Sequence, residues 1–92
     1  MFYAWDPAKA ATNLRKHGIL FVEAASVFLD PLARTSSDPD HQHRERRLLT
    51  IGVSARGRII IVAHAELADN CIRIISARKA TKRESNAYRE ED

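Results

Sequence analysis

RRLLTIGVSARGRIIIVAHAELADNCIRIISAR, residues 46–78, decides the fold. Within it, three runs rich in β-branched residues, at 46–53, 58–66 and 71–78, are separated by the connections SARG (54–57) and LADN (67–70). Such runs favour extended backbone, and connections this short join strands that turn back on each other. The spacing therefore predicts an antiparallel meander. A four-residue connection at 67–70 sets Glu66 opposite Cys71 and His64 opposite Arg73, which places His64, Glu66 and Arg73 on one side with Ile60, Val62 and Ile75. Ile59, Ile61, Ala63, Ile72 and Ile74 then form the side that packs on the helices. Either Arg46 or Arg47 joins the polar row, depending on whether the turn at Arg56-Gly57 contains a glycine bulge.

Upstream of this block, Phe2 to Trp5 is an apolar run suited to a first strand, and Asp6-Pro7 supplies a capping side chain followed by proline at the first helical position. The helix that starts there ends at Gly18, which tolerates positive φ. A second helix is expected over residues 19–28, with Phe21, Ala24, Ala25 and Phe28 at helical spacing and Asp30-Pro31 as its stop, so the two helices form a hairpin. Residues 32–35 are strand-like and 36–45 form a polar loop. Downstream, TKRE at 81–84 fits a capping box that opens a C-terminal helix, whose candidate buried residues are Ala80, Ala87 and Tyr88. So thin a stripe implies weak docking. The expected class is α+β: an antiparallel sheet of four to five strands with an N-terminal helical hairpin on one face and a C-terminal helix, one domain over residues 1–92.

Fifteen Lys and Arg against twelve Asp and Glu give a net charge of +3 and a pI near 9.4, which favours a polyanionic partner. The single Cys71 excludes an internal disulfide and a multi-cysteine zinc site, and points to a reducing compartment such as the cytoplasm. There is no apolar run of membrane-spanning length and no signal-peptide pattern. P-loop, serine-elbow and CxxC patterns are likewise missing.

On helix one, Lys9, Thr12, Asn13 and Lys16 share a face with His17 at its edge, opposite Pro7, Ala10, Ala11 and Leu14. That face is either a solvated surface or a phosphate-contacting one, since ammonium and carboxamide groups both donate to phosphate oxygens. The row of arginine, His64, Glu66 and Arg73 has the parts for RNA cleavage without a metal or other cofactor. A guanidinium can hold the scissile phosphate, a carboxylate or imidazole can take the 2′-hydroxyl proton, and an imidazole can protonate the leaving oxygen. The alternative is an ion-paired strand surface. Asp38, Asp40, His41 and His43 lack a recognised zinc spacing and read as a solvated loop. Trp5 is expected in the core, with base stacking as the other option.

WDPAKAATNLRKHG (5–18) and IRIISARKATKRE (72–84), together with FVEAASVFLDPLA, TIGVSARGR and AHAE between them, resemble the BrnT toxin family of type II toxin–antitoxin systems over nearly the whole chain. The resemblance implies a RelE-like fold and a ribonuclease that halts translation. It also implies neutralisation by a BrnA-type antitoxin carrying a ribbon-helix-helix domain, in a two-plus-two assembly that represses its own operon through operator DNA. The matching candidates are Arg73, Arg78 and Lys79 in the last block, Lys9, Lys16 and His17 in the first, and His64 with Glu66. Tyr88 is a further candidate, either at the RNA or as an anchor for the last helix. A non-catalytic module that binds the antitoxin and strengthens repression is the competing reading.

Overall fold

A computed structural model describes residues 1–39, 46–68 and 70–90. Strand β1 (Phe2–Ala4) is followed by helices α1 (Pro7–His17) and α2 (Phe21–Ser26), a 3₁₀ turn (Val27–Leu29), strands β2 (Arg34–Ser37), β3 (Leu48–Val53), β4 (Ile59–Leu67) and β5 (Cys71–Lys79), and helix α3 (Lys82–Glu90). The caps of α1 are those its sequence predicts: the Asp6 carboxylate accepts from the Ala8 N–H at 2.9 Å, and Gly18 closes the helix at φ 70°. The second helix is shorter than expected, because Leu20 brings no capping side chain and the chain tightens into the 3₁₀ turn after Ser26. None of the described helices is long and apolar enough to cross a membrane.

The sheet order is β1-β5-β4-β3-β2, and it is mixed rather than wholly antiparallel. The meander β2 to β5 is antiparallel as expected, but β1 lies parallel to β5, pairing Phe2, Tyr3 and Ala4 with Cys71, Ile72 and Arg73. The β3–β4 turn does contain the glycine feature: the Gly57 N–H donates to the Ser54 carbonyl at 2.9 Å with Gly57 at φ 78°. The β3 ladder starts at Leu48, so neither Arg46 nor Arg47 joins it.

The expected β4–β5 register is overturned. Leu67 pairs with Cys71 and Ala65 with Arg73, because Asn70 takes a left-handed conformation (φ 60°) and the connection is one residue shorter. A one-residue slip moves every side chain to the other face. A bulge follows: His64 pairs with Ile74 but Ala63 with Ser76, leaving Ile75 as the extra residue. The packed face therefore carries Ile60, Val62, Ile72, Ile74 and Ala77, which meet Ile19, Phe21, Ala24 and Val27. Ile59, Ile61 and Ala63, expected there, face the opposite side of the sheet. Trp5 is partly buried and packs against the core, meeting Phe21 edge-on with ring centroids 5.9 Å apart.

Polar anchors fix what the small core does not. Glu23, 6% exposed, receives hydrogen bonds from Arg58 and Ser54 and ties α2 to the β3–β4 turn. The Arg58 guanidinium beside it holds the Glu23 carboxyl below its ordinary value against the opposing effect of burial. On α3, Thr81 and Glu84 cap each other's amides as the sequence predicts, at 3.1 and 2.8 Å. Its docking is polar rather than apolar. Ala87 is exposed, while the buried Tyr88 donates its hydroxyl to Asp30, beneath an Arg34 guanidinium 5.2 Å from its ring. Burial works to raise the Asp30 pKa, yet hydrogen bonds from Tyr88, Val53 N–H and Leu32 N–H hold it below the usual carboxylate value.

Candidate nucleic-acid interface

Asn13 positions the site. Past Ala4, the edge of β5 has lost its β1 neighbour, and a buried backbone N–H and C=O at Ala77 need partners. The Asn13 carboxamide supplies both, accepting from Ala77 N–H at 3.0 Å and donating to Ala77 C=O at 3.0 Å, while also donating to Ile19 C=O at 3.1 Å. One side chain thus stands in for a strand partner and lays α1 along β5. Asn13 is 5% exposed, so its expected place on the phosphate-contacting surface is corrected: it is buried beneath that surface.

The helix so placed makes one wall of a groove of about 290 Å³, lined by Lys9, Thr12, Lys16 and His17 from α1 and by Ile75 and Ser76 from β5. A second concavity of about 190 Å³ adjoins it, sharing His17 and Ser76 and reaching Asp38, Ile61 and Arg78. The bulge at Ile75 is what turns Ser76 and Arg78 to this side. Lys9, Lys16, His17 and Arg78, predicted separately from two distant blocks, therefore line two adjoining concavities that share His17. Ser76 and Asp38 also line the site; Ser76 has no sequence signal that would single it out, and Asp38 reads in the sequence as part of a solvated loop.

Arg78 is preset by a bidentate pair with Glu84 at 2.8 and 3.0 Å. Its guanidinium drives the Glu84 carboxyl down to about 2, and Glu84 raises Arg78 in return. Lys79, exposed at the strand end, points to the opposite face from Arg78, and Tyr88 is buried against Asp30 outside the groove.

The other predicted row is not assembled. His64 is 2% exposed on the packed face, with Phe28 edge-on at 4.8 Å and Nε2 2.7 Å from the Thr50 hydroxyl, itself 2.6 Å from Thr35. Burial pushes its pKa down, against the pull of the Glu66 charge. Glu66 shares that face but is exposed, whereas Arg73 lies on the far side, beside Ala65 and Ala4. Asp40, His41 and His43 lie outside the described residues, and among the described ones no three His, Cys, Asp or Glu side chains cluster as metal ligands.

Residues 5–84 match the family described as ribonuclease toxin, BrnT, of type II toxin–antitoxin system. The chain belongs to the BrnT family. A crystal structure of the Brucella abortus ribonuclease toxin BrnT superposes with a TM-score of 0.66 at 27% identity, over 89% of this chain and all of that one. No curated protein matches. Membership makes this a ribonuclease toxin with an RNA target and an antitoxin partner, and the cationic groove is a surface among the described residues that suits a polyanion.

Proposed function

We propose that the groove between α1 and β5 holds the RNA backbone and that Arg78 and His17 act at the phosphate that is cleaved. One observation carries this reading: Lys9, Lys16, His17 and Arg78 line two concavities joined through His17 and Ser76. Lys9 and Lys16 neutralise phosphates and position the strand. Arg78, oriented by Glu84, keeps N–H donors to turn toward the scissile phosphate and stabilises the charge that develops on it. The His17 imidazole takes the proton from the 2′-hydroxyl as that oxygen attacks phosphorus. The bond to the 5′ oxygen breaks, and the imidazolium returns the proton to it, leaving a 2′,3′-cyclic phosphate and a 5′-hydroxyl. No metal takes part. In this scheme His64 is a core residue, and Glu66 and Arg73 carry no step.

Cleavage of this kind in the cytoplasm, by a RelE-like mechanism, halts translation until a BrnA-type ribbon-helix-helix antitoxin binds. The two-plus-two complex then reaches operator DNA through the antitoxin. Purified protein is expected to cut RNA in EDTA, and Arg78→Ala and His17→Ala are expected to lose cleavage while keeping the circular dichroism spectrum and antitoxin co-purification. Activity only on addition of magnesium would defeat the mechanism. Unimpaired growth on expression without antitoxin would favour the non-catalytic co-repressor instead.

A further inference from the structure

The outer face of the sheet carries a third concavity, about 410 Å³, floored by Leu49, Ile51 and Ile61 and rimmed by Arg34, Ser36 and Glu84. Leu49 and Ile61 also line the concavity that contains Arg78, so the three hollows run as one trough from Lys9 to Arg34. Arg78 of the second hollow pairs with Glu84 at the rim of the third, so the ion pair bridges the two. A group bound by that guanidinium therefore lies beside an apolar floor with hydrogen-bonding groups at its rim. A phosphate held beside an apolar hollow with polar groups at its rim suits a nucleotide whose base is unstacked and packs between apolar side chains.

We infer that this third hollow is a nucleobase subsite, holding the base adjacent to the phosphate on Arg78, with Leu49, Ile51 and Ile61 against its face and Arg34, Ser36 and Glu84 reading its edge. The inference rests on the ribonuclease reading for the phosphate's position. It assigns sequence preference to the apolar hollow and leaves base-independent affinity to Lys9 and Lys16. Lys9→Ala then weakens all RNA sequences alike, whereas Leu49→Ala alters discrimination at one nucleotide.

The test uses short, non-cleavable 2′-O-methyl RNA with an abasic residue walked along it, with binding measured by fluorescence anisotropy. At one position, loss of the base is expected to weaken binding to the wild type roughly tenfold and binding to Leu49→Ala less than about threefold. Ile51→Ala, which removes a second part of the apolar floor, is expected to weaken the same dependence. Equal base dependence in wild type and both variants overturns the inference. So does base-independent binding in which Leu49→Ala loses the antitoxin instead, which makes the trough a protein-docking surface. Base-dependent binding with no cleavage of the matching all-ribose strand supports the subsite and defeats the ribonuclease reading alone.

Discussion

Replacing Asn13 by alanine removes three hydrogen bonds at a site 5% exposed and leaves the Ala77 N–H and C=O and the Ile19 C=O without that partner. Each bond contributes about 1 kcal/mol net, and an orphaned buried amide costs about 1–3 kcal/mol more, so Asn13→Ala is expected to lose about 4–6 kcal/mol. That is a large share of the roughly 5–15 kcal/mol that holds a small domain together. Asn13→Asp is the sharper variant. It keeps the shape and the acceptor for Ala77 N–H, but turns a carboxylate oxygen onto two carbonyls, Ala77 and Ile19. At pH 7 it should be at least as damaging as alanine. Because those carbonyls raise the new carboxyl's pKa in the fold, its deficit should shrink as pH falls toward the unfolded value near ~4. Urea unfolding at pH 5 and pH 7 measures both. An Asn13→Asp protein as stable as the wild type at pH 7, or an alanine variant within about 1 kcal/mol of it, would refute the claim that this side chain replaces a strand.

His64 titrates in the fold below its ordinary value, so the unfolded chain binds its proton first. Stability should fall as pH drops below about 6.5, by at most ~1.4 kcal/mol per pH unit, and His64→Gln should flatten that slope in denaturation curves from pH 7 to 5. Glu84, with its carboxyl lowered from 4.5 to about 2, contributes stability above 4.5 that is lost as pH falls toward 2. Since Glu84 and Arg78 are both partly exposed, Glu84→Gln should cost about 1 kcal/mol, with a correspondingly weaker acid dependence in thermal melts. Tyr88→Phe should lose about 1 kcal/mol with its bond to Asp30 yet retain RNA cleavage; an inactive but folded variant would place the phenol in the chemistry.

Local signals were the legible ones. Asp6-Pro7 and Gly18 bounded α1, the Thr81–Glu84 box opened α3, and β-branched runs located three strands, because each depends on neighbours a few residues away. The cationic stripe of Lys9, Lys16 and His17 was readable from helical period alone. Faces were not. They depend on Asn70 adopting positive φ and on Ile75 being skipped in the ladder, and neither has a signature in composition. The first sent His64 into the core and left Arg73 on the opposite face; the second turned Ser76 and Arg78 to the groove. Asn13 offered a faint clue, since asparagine is a poor residue for a helix interior unless its amide has work elsewhere.

The bulge at Ile75 makes β5 two half-strands out of phase with each other. The first half presents Ile72 and Ile74 to the interior; the second presents Ala77 there and keeps Ser76 and Arg78 at the trough. Deleting that one codon would remove the bulge and restore unbroken alternation with Ala77 still inward and Ser76 and Arg78 still at the trough. Pairing Ile75 regularly with Ala63 would instead exchange the two sets beyond it, driving a guanidinium into the packed layer and an alanine out. What holds the two halves in place is the skipped position rather than the side chain that occupies it.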